Sequence, residues 1–360
     1  MPSFSHETSK QIAILRPICV FFMMFVHVSP GFNPALYSGF TLFSGVLIVD
    51  ILGRASVATL SLVSGFLLAS AAVHKSSITL IWSRVRAIYV PMLTWSAIFM
   101  LATQAGYLFA GVATAASKSL DGLPMSRIIL EKLMFIYGSP ASPALGFLRD
   151  LTVSSILVIL LLRVPRKEVL WVALIGVLAL SLYGSMAPLV YRPTILLFML
   201  LGVAMYQMQR SLFVPKVIMV LGAFVLTAVT FQVFVNINAA DAGTRDTLTV
   251  NALNIAKRAS LTVFVLWFGS MLVMTHLGTW LSRIGAHVYL AFLSHTTMLP
   301  ILWVLWLHVI GNEKHWAYPI FFICAPICTT MFAVLLGRAI SSLPASIQIV
   351  LRGKAVAAAV

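Results

Sequence analysis

Two ionisable side chains, Arg16 and His27, interrupt the first apolar run of the sequence. A charged or titratable group is costly in hydrocarbon, and those that persist there usually serve a pathway or a reaction. The eleven-residue spacing, at about 100° per residue, predicts that both project from one helical face, about 16 Å apart along the axis. Imidazole takes up a proton near neutral pH, which makes His27 a candidate general base. Guanidinium binds phosphate or carboxylate through two parallel hydrogen bonds, which makes Arg16 a candidate anion contact. A snorkelling arginine and a histidine satisfied in a packed core would read the same way.

Other groups invite chemistry less directly. Arg84 and Arg86 lie in a basic turn, SRVRAIYVP, and suit phosphate binding, although basic residues also anchor the cytoplasmic ends of membrane helices. Ser64 and Gly65 combine a hydroxyl with a position of close backbone approach, useful for steadying a thioester or an oxyanion and equally useful for packing two helices. Arg149 and Asp150 form an adjacent pair suited to contacting an acceptor or to latching a helix end, and His295 sits a third of the way into a late apolar run. His6, His74, His276, His287, His308 and His315 fall near run ends or loops and carry no expected role. Cys19, Cys324 and Cys328 lie within apolar runs with no His or carboxylate at ligand spacing, so no metal site is expected.

The elements that position these groups follow from composition. The chain is 61% hydrophobic and 9% charged, where a soluble domain carries roughly a quarter charged residues. Apolar runs long enough to cross a bilayer recur along it, and a span needs about 20 such residues. They predict an all-α polytopic bundle of ten helices, at 11–30, 55–73, 88–114, 147–163, 168–189, 194–209, 215–236, 259–277, 284–308 and 316–338. A segment from Gly39 to Gly53 reads as re-entrant or interfacial, and Met125 to Tyr137 as an amphipathic helix outside the core. The first run, with Arg16 and His27 inside it, reads as a retained helix and not as a cleaved signal. A single domain over 1–360 is expected, its membrane core at 11–338, with short tails at 1–10 and 339–360.

Alternate connections differ in charge. With both termini in the cytoplasm, the inner set holds thirteen Lys and Arg against two acidic residues, and the outer set ten against seven. That bias fits the retention of basic loops on the cytoplasmic side. It also accounts for the formal charge of +15 without nucleic acid, for which no recognition motif is present.

Several of these residues fall in segments that resemble one family. Arg16 and His27 match the Arg/Lys-x10-His pattern of the acyltransferase-3 family of membrane acyltransferases. LSLVSGFLLA, with Ser64, Gly65 and Phe66, is similar to its Ser-Gly-Phe segment. SRVRAIYVP resembles its Arg-rich turn, with Arg84 in the first arginine position and Ala87 where a second arginine is usual, so that Arg86 would substitute from the neighbouring register. FLRDL, 147–151, and YLAFLSH, Tyr289 to His295, complete the series, in family order from Ile12 to about Leu335.

The resemblance implies a bacterial inner-membrane enzyme using cytoplasmic acyl-CoA as co-substrate, with no permanently bound cofactor and no metal. It implies a sugar hydroxyl of an exported polysaccharide or its lipid-linked precursor as acceptor, alongside other polysaccharide-synthesis proteins. Within the family, the chain resembles the exopolysaccharide succinyltransferases of the succinoglycan type, which favours succinyl over acetyl as the expected acyl group. His27 and Arg16 are then the catalytic pair, and Arg84, Arg86, Ser64 and Gly65 the donor contacts. Arg149, Asp150 and His295 support the acceptor side. A polysaccharide or small-molecule transporter, in which intramembrane Arg and His line a path, is the alternative from a different class, and a membrane scaffold for a synthesis complex is a third.

Overall fold

A computed structural model describes residues 6–28, 44–110, 120, 122–138, 140–183, 186–209, 212, 217–239, 247–285 and 287–355. Helix α1 is His6–Phe25. A π-helical turn, Leu47–Gly53, leads directly into α2, Arg54–Ala72. Helix α3, Ser77–Arg84, continues through a second π-helical turn, Val85–Tyr89, into α4, Val90–Ala110. There follow α5 at Gly146–Leu161, α6 at Lys167–Tyr183, α7 at Pro193–Gln207 and α8 at Val217–Ala239. Next come α9 at Thr247–Leu272, α10 at His276–Ile284, α11 at Val288–Val309, α12 at Tyr318–Ser341 and α13 at Ala345–Arg352. Each of the ten expected spans has its helix, and no strand occurs among the described residues.

The solvent around this protein is hydrocarbon. Along α12 the residues Ile320, Ile323, Ile327, Met331 and Leu335 recur every three or four positions and are exposed, while Phe322, Pro326, Thr329, Ala333 and Gly337 on the other side are buried. An apolar stripe of that length facing outward is stable in a bilayer and costly in water. Five helices are long and apolar enough to cross a membrane, namely Glu7–Phe25, Ser77–Leu108, Leu248–Leu272, Val288–Val309 and Tyr318–Ser341. Shorter apolar helices, such as Pro193–Gln207, accompany them. The protein is an all-α polytopic membrane bundle.

The chain gathers into two compact units. The first comprises 1–26, 32–77 and 154–286. At its centre α2 meets α7 with almost no side chain between them: a Cβ on Gly65 would overlap the backbone of Met199, and one on Gly202 the carbonyl of Leu62. Small residues allow this approach, and dispersion between the two backbones holds it in an environment where the hydrophobic effect does not. Thr59 and Thr262 join α2 to α9 at 3.2 Å. Gln11 donates from one amide nitrogen to the carbonyls of Leu212 and Leu266, at 3.1 and 2.9 Å. Pro17 inside α1 has no N–H to offer the Ala13 carbonyl. Gly285 packs on that oxygen, where a Cβ would stand 2.9 Å away.

The second unit comprises 27–31, 78–153 and 287–360. Here α4 packs on α11 and α13, and α11 on α12. The segment after Pro124 departs from expectation. In place of an amphipathic helix outside the core it forms a short turn, Met125–Arg127, and a π-helical turn, Ile128–Leu133, with Glu131, Lys132 and Phe135 buried. The charges pair with one another, Lys132 to Glu131 and Arg127 to Glu131, each at 2.9 Å, and that pairing lets a charged sequence enter the interior. The expected start of the eighth span also moves. Helix α9 begins at Thr247 rather than at 259, and carries Lys257 inside, nearly inaccessible, with Arg258 donating to Thr194 at 2.8 Å. Hydropathy ends a span at its first charges, whereas packing partners allow the helix to continue.

Candidate active site

Helix α1 ends at Phe25, and Val26 and His27 lie in the turn beyond it. Ser29, Pro30 and Gly31 follow in the sequence, and a residue preceding proline is driven away from helical angles. The expectation that Arg16 and His27 project from one uninterrupted helix face is therefore corrected. Arg16 is an exposed residue of the first unit, and His27 belongs to the second.

Within the second unit His27 meets another histidine. Its ring centroid lies 5.3 Å from that of His295, with the planes at 46°. His295 is wholly inaccessible. Its Nδ1 makes a short hydrogen bond with the carbonyl of Phe292, one turn earlier in α11. A carbonyl oxygen only accepts, so Nδ1 carries the hydrogen and Nε2 presents a lone pair. That Nε2 is buried with no hydrogen-bond partner among the described residues. Leaving such an atom unsatisfied costs about 1–3 kcal/mol, and its lone pair stays available to a proton or a substrate group.

Aromatic contacts connect this pair to the FLRDL segment. Phe292 lies against His295, centroids 5.3 Å apart, and against Phe147 at 5.9 Å. Two residues beyond Phe147, Arg149 is buried, donates from Nε to the Phe135 carbonyl at 3.0 Å, and bonds through Nη1 to Asp150 at 3.0 Å. Asp150 is itself buried. Sequence reading put this pair at an outer helix end; the structure takes it into the interior, with Phe135 from the inserted segment closing over it.

Two tyrosines of the family-like segments, to which the sequence alone assigned no role, bind the remaining parts. Tyr89 donates to the Met134 carbonyl at 3.0 Å, and Tyr289 to the Ile88 carbonyl at 3.3 Å. Tyr289 opens YLAFLSH and Ile88 lies in SRVRAIYVP, so the hydrogen bond joins two of the segments. Their order along the chain was visible, whereas their meeting was not. In the basic turn Arg84 is half-buried and Arg86 exposed.

Ser64 and Gly65 stand in the first unit, Ser64 half-buried on α2. The close approach that Gly65 permits is taken by the Met199 backbone of α7. Phe66 of the same segment packs edge-on against Tyr206 at 5.6 Å. This arrangement fits the helix-packing reading of Gly65. The segment 39–53 falls partly outside the described residues; its last part is the π-helical turn that continues into α2. Among the described residues no group of three His, Cys, Asp or Glu side chains is placed to hold a metal.

The sequence pattern of the acyltransferase-3 family, described as an acyltransferase domain, matches residues 10–338. No curated protein and no solved structure matches the chain.

Proposed function

This chain belongs to the acyltransferase-3 family and is a membrane acyltransferase, and we propose that it moves a succinyl group, in preference to acetyl, from cytoplasmic acyl-CoA to a sugar hydroxyl of an exported polysaccharide or its lipid-linked precursor. The observation that carries the reading is the histidine pair, half-buried His27 beside wholly buried His295 with its unpartnered Nε2. His27 takes the proton of the acceptor hydroxyl as its oxygen attacks the thioester carbonyl carbon. The carbon–sulfur bond breaks, and the imidazolium returns the proton to the departing sulfur, so that an ester and free CoA leave. His295 lies beside the same ring and keeps an Nε2 lone pair, suited to orient His27 or share its proton.

Burial in an apolar bundle keeps water from competing for the acyl group. Arg84 and Arg86 suit the donor's phosphates. A succinyl carboxylate would call for a cation near the acyl group, and Arg16, Arg149 and Arg192 are the arginines the sequence offers for that role. In this reading both termini face the cytoplasm of a bacterial inner membrane and no cofactor is bound permanently.

Purified protein in liposomes, supplied with labelled succinyl-CoA or acetyl-CoA and with glycan, tests the proposal. Wild type yields acylated glycan and free CoA, the mass increment separating the two acyl groups, and His27→Ala yields neither. Glycan movement without acylation would refute the proposal in favour of transport, and full turnover by a folded His27→Ala protein would remove His27 from the reaction.

A further inference from the structure

The family match ends at residue 338, yet the chain continues into a docked helix, α13, and a basic end. The docking is specific. Trp95, buried on α4, donates its indole N–H to the Leu351 carbonyl at 3.0 Å. Gln348 donates to the carbonyls of Leu343 and Ser341, at 2.8 and 3.1 Å, and its side-chain oxygen accepts a short bond from Arg352. Gly353 ends the helix at φ +76°, its N–H bonding the Ile349 carbonyl at 2.8 Å.

Where Gly353 lands is the informative detail. A Cβ there would overlap the carbonyl oxygen of Ala87, the residue between Arg86 and Ile88. Pro91 has no N–H to give to the carbonyl four residues behind it, which is that of Ala87, and the helix widens into the π-turn Val85–Tyr89. The glycine thus seats the C-terminal segment on the turn that carries Arg84 and Arg86. Positive φ and the absence of a Cβ are both required at this one position.

The charges brought together are all of one sign. Arg338, Arg352 and Lys354 act electrostatically on His287, whose proton affinity is lowered by burial first and by these three cations next. His287 in turn packs on Gly337, where a Cβ would overlap its ring. The buried carboxylates of the unit are engaged elsewhere, Glu131 with Lys132 and Arg127, and Asp150 with Arg149. Retention of basic residues at a membrane face explains Lys and Arg there, but not an indole bond, a left-handed glycine and a half-buried arginine that fix them on one turn.

We propose that the segment 345–354 completes a phosphate site with Arg84 and Arg86, Arg352 and Lys354 binding the 3′-phosphate or diphosphate of the acyl-CoA donor. This rests on the donor reading above and extends it to residues beyond the family domain. Two variants of the full-length protein in nanodiscs test it: Arg352→Gln with Lys354→Gln, which removes charge and leaves the seat, and Gly353→Ala, which keeps the charge and unseats it. In each, KM for acyl-CoA should rise roughly tenfold or more, the loss of a charge-assisted phosphate contact, with kcat little changed. Wild type should bind 3′-dephospho-CoA more weakly than CoA, and the double variant should narrow that gap. Unchanged KM in both variants, with wild type still consuming acyl-CoA, overturns the inference and leaves the donor reading intact. A wild type that neither binds nor consumes acyl-CoA refutes the donor reading itself. If the variants alter only the response of the melting midpoint to phosphatidylglycerol in the nanodisc, the cluster serves lipid headgroups and the inference is likewise overturned.

Discussion

Replacing His295 with leucine separates a catalytic role from a structural one, because the two predict opposite changes in stability. In the native protein the ring is wholly buried, with one nitrogen bonded to the Phe292 carbonyl and the other unpartnered. Leucine forfeits the bond, worth about 0.5–1.5 kcal/mol, and removes the unsatisfied nitrogen, whose burial costs about 1–3 kcal/mol. The side chains are similar in volume and leucine has the better helix propensity. The net expectation is a change between about −0.5 and about +2.5 kcal/mol in favour of the variant. Acyl transfer should meanwhile fall by about 10²- to 10⁴-fold, the usual contribution of a group that manages a proton in the transition state. Both quantities are read from one preparation, the melting midpoint in detergent and the turnover of labelled acyl-CoA in liposomes. A variant that melts several degrees lower and turns over normally refutes the reasoning, for His295 would then be a packing residue whose second nitrogen is satisfied in the functioning protein.

Two further substitutions test the scaffold around the site. Asp150→Ala leaves the Arg149 guanidinium buried beside Phe135 without its carboxylate and should cost about 3–5 kcal/mol, visible as a lower melting midpoint and faster proteolysis; a loss under about 1 kcal/mol would mean that water reaches the pair. Gly65→Ala drives a methyl group into the Met199 backbone and should cost about 1–3 kcal/mol or more by forcing α2 from α7. Ser64→Ala, one residue away and half-buried, should stay within about 0.5 kcal/mol of wild type. A Gly65→Ala protein with unchanged melting and a raised KM would return this glycine to the donor site.

The local order of the fold was legible because its cause is local. A run of apolar residues near 20 in number must cross a bilayer as a helix, since no water is present to satisfy its backbone. The ten expected spans accordingly appear as α1, α2, the α3–α4 helix, α5 to α9, α11 and α12. Where a span should stop was read less well, because hydropathy scores a residue and not its neighbours. Lys257 is carried within α9 beyond the point where hydropathy would begin it, and Glu131 with Lys132 enters the interior of the inserted segment because the two charges pair with each other and with Arg127.

The candidate site divides in the same way. Residue type and spacing singled out His27 and Arg149 with Asp150, since an ionisable group in an apolar run is conspicuous by itself. His295 was a supporting candidate, Tyr89 and Tyr289 stood only inside segments that resemble the family, and Arg352 and Gly353 carried no site role, because nothing in their immediate surroundings is unusual. Their significance is relational: an imidazole nitrogen 268 positions after His27 in the chain becomes important only when helix packing puts the rings 5.3 Å apart. The helix face expected to unite Arg16 with His27 failed for a local reason, the turn ahead of Pro30, and within the second unit His295 of α11 supplied His27 with a different neighbour. Apolar length alone thus determined that this protein lives in a membrane as helices. Which of its few polar groups meet was decided by the tertiary packing, because burying a polar atom depends on what is placed opposite it, and no one-dimensional pattern records that.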